Sequence, residues 1–197
     1  MKFAKTLFAV AAATALLGTL ASAASARNLA TTSQTVRVAF RSITFRGAFG
    51  DIVCPVTVEG SFHSRTHAKV VGSLVGYITR ADLGACPTGR ATVLREALPW
   101  HVRYQAFSGS LPNISSITAH ATGMAFSIRE PFATCLARSD AANPGIIHLY
   151  RESAGAATTT EFGGTIPTTC GASGTFMSTR DTPTVLNTTT RITITLI

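Results

Sequence analysis

A chain of 197 residues, of which 46% are hydrophobic, is long enough to bury one sizeable apolar core. Its formal net charge is +8, but the arginines are spread along the chain, which excludes the clustered footprint of a nucleic-acid interface. The four cysteines are too far apart for a C-x-x-C pair, which disfavours a zinc module.

Residues 1–26 have the layout of a secretory signal peptide with a helical apolar core. Lys2 and Lys5 form a positive start, residues 7–20 are an apolar run, and "LASAASAR" offers cleavage after Ala23 or Ala26. The run is too short for a comfortable membrane span, no cysteine follows it for lipid attachment, and no apolar anchor lies near the C-terminus. We therefore expect a secreted protein without a membrane span, whose folded domain covers residues 27–197.

The residues after the signal show strand-like alternation and almost no helical periodicity. Val36, Val38 and Phe40 share one face, and the alternation changes phase at Ile43, which predicts a β-bulge or a bend near Ser42. Arginines occupy the opposite face of this first strand, so that face is expected to meet water.

Later strands follow the same rule and are separated by turn signals such as "GDIVCP", "CPTGR" and "NPG". They are predicted at residues 56–63, 68–79, 91–94, 100–107, 117–128, 146–150, 174–178 and 191–197. Strand 68–79 is apolar on both faces in its middle, which predicts a central position, whereas 151–164 is expected to be a mobile loop. Many short strands with such turns predict an all-β single domain, built as an antiparallel β-sandwich or a barrel-like sheet.

Cysteine usage predicts how this domain is stabilised. Cys54, Cys86, Cys135 and Cys170 form an even set, which in an exported chain indicates two disulfides. Four cysteines can pair in three ways. Sequential pairing would join residues 32 and 35 positions apart. In the chain-entropy model each such loop contributes about 3 to 4 kcal/mol.

Motifs that carry chemistry are scarce. The sequence has no G-x-S-x-G elbow, no H-E-x-x-H zinc helix, no Walker or dinucleotide loop and no carboxylate pair at a glycosidase spacing. His63 and His67 have the best metal-like spacing, but on a strand they would lie ~13 Å apart, too far for one ion. We interpret them as structural surface histidines, and we predict no catalytic residue, no metal ligand and no cofactor.

Residues 98–107, "LPWHVRYQAF", hold the chain's only tryptophan and raise the question of a binding face. Alternation assigns Trp100, Val102, Tyr104 and Ala106 to the core. The opposite face carries His101, Arg103 and Gln105 and ends at Phe107. The polar stripe formed by His101, Arg103 and Gln105 is therefore the candidate ligand-facing site.

The stretch "VCPVTVEGSFHSRTHAKVVGSLVGYITRA", with the later "GRATVL" and "LPWHVRYQAFSGSLPNI", resembles a group of exported, uncharacterised all-β proteins of high-GC actinobacteria. The resemblance runs from about residue 51 to residue 128 and implies a secreted β fold without implying an activity. A fainter likeness, the Leu-Pro-Trp at 98–100 after a cysteine, is similar to alkane-oxidation protein activators.

These observations favour a non-catalytic protein with a binding or structural role at the cell surface. Loss of Lys2 and Lys5 with the signal lowers the net charge from +8 to +6, and Lys69 is then the only basic residue other than Arg. Arginine binds phosphate and carboxylate with two parallel donors, so the candidate partner is a polyanion or glycan of the cell envelope. An arginine-biased genome accounts for the same composition.

Two alternatives belong to other classes. A secreted hydrolase would assemble its site from scattered His, Ser and Asp, with a deep pocket that places His101 or His120 within hydrogen-bond reach of a carboxylate or a serine. An outer-membrane β-barrel would explain the alternation of the C-terminal "TRITITLI", but one Trp and three Tyr are too few for two aromatic girdles.

Overall fold

The computed structural model describes residues 28–47, 50–110, 113–129, 133–151, 158–170 and 173–196. The predicted signal peptide, residues 1–26, lies outside these ranges. Within them the chain is all-β, and no helix is long and apolar enough to cross a membrane. The strands are β1 (Asn28–Thr31), β2 (Thr35–Gly47), β3 (Gly50–Phe62), β4 (Thr66–Ala68), β5 (Leu74–Leu83), β6 (Arg90–Val93), β7 (Trp100–Ser110), β8 (Asn113–Thr122), β9 (Ala125–Arg129), β10 (Thr134–Arg138), β11 (Gly145–Arg151), β12 (Thr158–Ile166), β13 (Gly174–Ser178) and β14 (Ile194–Leu196). A single 3₁₀ turn, Arg95–Ala97, precedes β7.

Eight of these strands close into one antiparallel barrel, in the order β2-β3-β5-β7-β8-β11-β12-β13, with β13 returning to β2. Of the two architectures that the sequence left open, the chain therefore adopts the barrel. Except for the closing pair β13 and β2, barrel neighbours are consecutive in the chain or separated by one short excursion, as is usual for antiparallel connections. Closure leaves the barrel without an exposed edge strand.

Alternation along β2 shows how the sequence builds the barrel wall. Val38 and Phe40 are buried inside, whereas Arg37 is exposed on the outer face. Phe40 pairs with Val56 and Ile43 pairs with Cys54, so β2 carries one extra residue there. This confirms the β-bulge predicted near Ser42, and it turns the side chain of Ile43 back into the interior.

Two three-stranded sheets cover the ends of the barrel. The terminal cap consists of β4, β1 and β14, and Leu29 of β1 lies opposite His67 of β4. The disulfide cap consists of β6, β9 and β10, with β9 in the middle. Val36 near the start of β2 lines a cavity together with Leu29 and His67, whereas Phe45 near its end packs on Phe126 of β9. The two caps therefore lie at opposite ends of the barrel.

An aromatic cluster fills the barrel beneath the disulfide cap. The Phe126 ring lies at its centre, with ring centroids 5.3 Å from Phe45, 5.5 Å from Trp100 and 6.1 Å from Phe176. Trp100 is 1% exposed, which confirms its assignment to the core. Edge-to-face pairs of this kind stabilise a core beyond the area they bury.

Two of the predicted strands are divided in the structure. Residues 68–79 do not form one central strand, because β4 and β5 belong to different sheets. The chain turns between them at Gly72, whose φ of +78° disfavours any side chain. Residues 117–128 are divided in the same way between β8 and β9, at Gly123 with φ of +82°. In both stretches the alternation of apolar residues continues through a turn glycine. A prediction from alternation alone therefore merges two separate strands into one.

The expectation of a loop over residues 151–164 is wrong for its second half. Residues 152–157 lie outside the described ranges, but β12 begins at Thr158 and forms part of the barrel wall. Thr158, Thr160 and Phe162 are all buried. Threonine is β-branched and packs well on a pleated sheet, so a segment of polar composition can supply a barrel strand.

The disulfides are Cys54–Cys86 and Cys135–Cys170, which is the sequential pairing. Cys54 lies in the barrel strand β3 and Cys86 lies just before β6. Cys135 lies in β10 and Cys170 lies in the connection between the barrel strands β12 and β13. Both bridges therefore tie the disulfide cap to the barrel wall.

Candidate functional site

The barrel contains a cavity of about 110 Å³ beneath the terminal cap. Its wall is formed by inward-facing apolar side chains of the barrel strands, among them Val38, Val58, Ile78, Val102 and Phe162. Leu29 and Ile194 close it from the cap. Ala119 lines this space with a single methyl group, whereas Gly60 and Gly76 allow β3 and β5 to approach closely, since a Cβ there would lie 2.4 Å from the Tyr77 carbonyl oxygen or 2.3 Å from that of Ser61.

His67 is the lining residue with the most informative chemistry. It is 9% exposed, and its Nε2 has no hydrogen-bond partner among the described residues. Burial lowers the pKa of His67, the nearby His63 lowers it further, and a hydrogen bond with the Ser64 backbone opposes the change. The ring is therefore neutral at neutral pH and has one nitrogen with a free lone pair.

The interpretation of the two histidines as surface residues is wrong for His67. His63 is exposed, and its ring lies 4.9 Å from that of Tyr77 on the outer face. Between them, residues 63–65 turn the chain away from the barrel wall, so β4 crosses the barrel end and its middle residue faces inward. The spacing of the pair could not show this, because the turn and not the periodicity decides where His67 points.

Tyr104 of β7 is a second polar residue that lines the cavity. It is 4% exposed, which confirms its assignment to the core. Burial raises the pKa of its phenol, so the hydroxyl stays neutral at physiological pH. His67 and Tyr104 thus belong to the residues that line the cavity, but the surface presented to the cavity is almost entirely apolar.

The predicted polar stripe lies on the outside of the barrel. His101 is exposed and packs edge-to-face on Tyr77, with ring centroids 5.2 Å apart. Arg103 is exposed and donates from Nη1 to the Gly72 carbonyl at 2.9 Å, while Gln105 is half-buried. None of the three lines the cavity. Their role in facing a ligand stays a prediction.

The alternation predicted for residues 98–107 holds only as far as Tyr104. The register of β7 against β8 shifts between Tyr104 and Ala106. Ala106, expected in the core, is consequently exposed. Phe107, expected outside, packs against the buried cluster that includes Ile117. A β-bulge reverses the face of the strand on which the following residues lie. Residues 104–106 contain no glycine or proline that would mark this bulge in the sequence.

A groove on the outer surface contains a histidine, His148, that strand pairing places directly opposite a carboxylate. His148 of β11 lies opposite Glu161 of β12, but its Nδ1 is 3.2 Å from the Thr118 hydroxyl. Glu161 accepts hydrogen bonds from the Tyr150 hydroxyl and from Arg180, each at 3.4 Å, and the Arg180 guanidinium covers the Tyr150 ring. The carboxylate is therefore engaged by two other side chains.

The constellation expected of a hydrolase would involve His101 or His120. In the part of the chain that the structure describes, neither imidazole hydrogen-bonds a carboxylate or a serine side chain. No group of three His, Cys, Asp or Glu side chains within the same ranges comes together as a metal-ligand set. The cavity consequently carries the functional argument.

The outer face of β2, β3 and β5 carries a charge ladder. Glu59 lies between Arg37 at 3.8 Å and Arg80 at 3.5 Å, and Asp82 lies between Arg80 and Arg95, the latter at 3.1 Å. Exposed pairs of this kind contribute about 0 to 1 kcal/mol each. Their main consequence is that carboxylates already neutralise part of the arginine charge. The number of arginines alone therefore overstates the positive electrostatic field that a polyanion would meet.

Comparison with protein families, curated proteins and solved structures found no match to this chain. The resemblance to exported actinobacterial proteins and to alkane-oxidation protein activators therefore stays a prediction.

Burial of His67 leads to a prediction about stability and pH. Because its pKa is lowered in the folded state, the unfolded chain binds more protons as the pH falls below the ordinary value of 6.5. The free energy of unfolding is therefore expected to decrease on acidification through this range, and His67→Phe should flatten the decrease. Urea unfolding at about pH 7.5 and about pH 5 measures it.

His120 supplies the control for this prediction. Burial lowers its pKa as well, so it contributes to the same decrease with the same sign. His120→Gln should remove a separate part of the decrease in the free energy of unfolding on acidification. The double variant with His67→Phe and His120→Gln should show the smallest dependence of this free energy on pH. An unchanged pH dependence in His67→Phe would mean that His67 is hydrated in solution.

Proposed function

We propose that the protein is an exported, non-catalytic binding protein that holds one small apolar molecule inside its barrel. The cavity of about 110 Å³ beneath the terminal cap is the observation that carries this proposal. An engineered apolar cavity of about 150 Å³ in another protein stays dry and binds benzene. A small apolar molecule of about the size of benzene therefore suits a space of this size.

The energetics of the empty space support the proposal. Mutational series relate stability to cavity volume at about 24 cal/mol per Å³, so a void of this size lowers stability by roughly 2 to 3 kcal/mol. Substitution of Ala119 by a larger residue would fill part of the cavity and recover stability, since Ala119 lines the cavity. Eight-stranded barrels are wide enough either to be filled by side chains or to enclose one small ligand. Side chains fill this barrel beneath the disulfide cap, whereas they leave a cavity beneath the terminal cap.

The exterior and the disulfides support the remaining parts of the proposal. The charge ladder from Arg37 to Arg95 suits a barrel surrounded by water. Two disulfides are typical of oxidising compartments outside the cytoplasm, which agrees with the predicted signal peptide. Since the surface that lines the cavity is almost entirely apolar, and no metal-ligand set comes together among the described residues, binding without chemistry accounts for the composition of this site.

Toluene is a suitable probe for this proposal because it is only one carbon atom larger than benzene and carries no polar group. Titration calorimetry is expected to show one site in the wild-type domain. Ala119→Ile places extra carbon atoms in the cavity and should weaken toluene binding by at least about tenfold, with less loss of stability than the 1 to 3 kcal/mol typical of overpacking.

Thr118→Ile is the matched control, because Thr118 is the neighbouring residue on β8 and its hydroxyl contacts His148 outside the cavity. This variant should bind toluene as the wild type does. The proposal fails if the wild type binds no toluene, or if Ala119→Ile binds it with unchanged affinity.

A further inference from the structure

We infer that the protein docks on the surface of an anionic phospholipid bilayer through the turn between β4 and β5. This turn, residues 69–73, is named the valine turn and connects the terminal cap to the barrel wall. The inference concerns the outside of the molecule. It goes beyond the proposed function and does not depend on a molecule in the cavity.

The tip of the valine turn presents two adjacent aliphatic side chains to solvent. Val70 is 61% exposed and Val71 is 65% exposed. Among the described residues, Met177 is the only other large apolar residue that is exposed. Single exposed apolar residues are common on protein surfaces, whereas two neighbours on one turn form a small apolar wedge. Transfer of this wedge out of water is favourable in proportion to its apolar area.

The backbone of the valine turn is held by the protein itself. The Ser73 N–H donates to the Val70 carbonyl at 3.0 Å, and the Gly72 N–H donates to the Tyr104 carbonyl at 2.8 Å. The Gly72 carbonyl accepts from Arg103 at 2.9 Å. Backbone groups that lose their bonds to water oppose entry into a bilayer. Because these four groups are already bonded within the protein, the tip can enter the apolar boundary of the bilayer without that penalty at them.

Positive charge flanks the tip and matches an anionic lipid surface. Lys69 begins the turn, and its ammonium lies 5.1 Å from the centroid of the Phe107 ring. Arg103 is exposed on the neighbouring strand β7. Residues 60–81 and 97–129, which contain the turn and β7, include no Asp or Glu. Each basic residue close to an anionic bilayer strengthens binding by about fivefold, and acidic side chains that would oppose it are absent from these two segments.

The outer face of the terminal cap is suited to the same surface. Leu29 and His67 point inward, so the residues beside them on β1 and β4 point outward. The outward positions of the cap carry small uncharged residues, namely Asn28, Ala30, Thr66, Ala68 and Thr195. A bilayer that receives the valine turn therefore meets no charge at these positions that would have to leave water.

Vesicle binding tests the inference. The probes are vesicles of phosphatidylcholine alone and vesicles in which about one third of the lipid is phosphatidylglycerol. All forms are compared without residues 1–26, whose apolar run would bind lipid by itself, and the described fold begins at Asn28. In co-sedimentation at low ionic strength, the wild type is expected to bind the anionic vesicles at least about tenfold more tightly than the neutral ones.

Substitution of both valines examines the apolar wedge. The double variant Val70→Ser with Val71→Ser should bind anionic vesicles at least about tenfold more weakly than the wild type, because the tip then loses most of its apolar area. Met177→Ser is the matched control, since it removes an equally exposed apolar side chain from β13 on the barrel wall. This control should bind as the wild type does. Both variants should unfold at the wild-type denaturant concentration, because the replaced side chains are exposed.

Substitution of Lys69 examines the charge. Lys69→Gln should weaken binding to anionic vesicles by about fivefold and leave binding to neutral vesicles unchanged, whereas Lys69→Arg should bind as the wild type does. Arg90→Gln removes the same charge from an exposed position on the disulfide cap. It should change binding by less than about twofold, because the disulfide cap lies at the far end of the barrel from the docked surface.

Three results would overturn the inference. The first is a wild type that does not bind the anionic vesicles, and the second is a valine double variant that binds them as tightly as the wild type. The third comes from sedimentation equilibrium without lipid. If the wild type is a dimer and the valine double variant is a monomer, a second copy of the chain covers the valines. Toluene binding is measured separately, so each of these results leaves the proposed function standing.

Discussion

Trp100→Ala is expected to lower the free energy of unfolding by about 3 to 5 kcal/mol, the usual range for truncation of a large buried aromatic side chain. Trp100 is 1% exposed and packs edge-to-face on Phe126 of the disulfide cap. Truncation removes that contact and leaves a void between the cap and the barrel wall. Denaturant unfolding with both disulfides intact measures the loss.

Two variants show whether this loss comes from burial. Trp100→Phe retains a ring against Phe126 and should lose much less stability than Trp100→Ala. Tyr77→Ala removes an aromatic ring from the outer face, where it contacts the rings of His63 and His101, and should lower stability by about 1 kcal/mol. A loss below about 1 kcal/mol in Trp100→Ala would contradict the packing described for this end of the barrel.

Removal of either disulfide is expected to have the second large effect. Each bridge joins residues 32 or 35 positions apart, for which the chain-entropy model assigns about 3 to 4 kcal/mol. Replacing Cys54 and Cys86 together by alanine, or Cys135 and Cys170 together, should therefore lower the free energy of unfolding by roughly 2 to 4 kcal/mol. Peptide mapping without reduction first checks the pairing.

Hydrogen exchange locates the consequence within the molecule. Because both bridges hold the disulfide cap, their removal should increase exchange in β6, β9 and β10 more than in β1, β4 and β14. Toluene binding beneath the terminal cap should persist in each variant at temperatures where the barrel is folded. Equal loss of protection at both caps would show that the bridges stabilise the barrel as a whole and not one end of it.

Alternation was sufficient to predict most of the barrel wall. Residues 174–178 were predicted as a strand and form β13, and the bulge after Phe40 was visible as a change of phase. Alternation is informative there because each strand has one face in the core and one in water. It was insufficient for β1, β10 and β12, where threonine, cysteine or alanine occupies buried positions that larger aliphatic or aromatic residues fill in the predicted strands.

The cavity and His67 could not be predicted because they depend on which strands meet across the barrel. Gly60, Gly76 and Ala119 lie far apart in the sequence, and their shared cavity follows only from the strand order. His67 points inward because β4 leaves the barrel and pairs with β1, at the start of the described chain. The "HSRTH" segment showed a turn and a spacing, but neither reveals a partner strand so distant in sequence.

The two ends of the barrel are held by different kinds of bonds. All four cysteines lie at the disulfide cap, whereas the terminal cap is held by short strand pairings and by the burial of Leu29 and Ile194. Non-covalent elements at a chain end open locally at a lower free energy than the whole fold requires. We therefore expect a molecule bound in the cavity to enter and leave at the end covered by the terminal cap, and not at the end held by the disulfides.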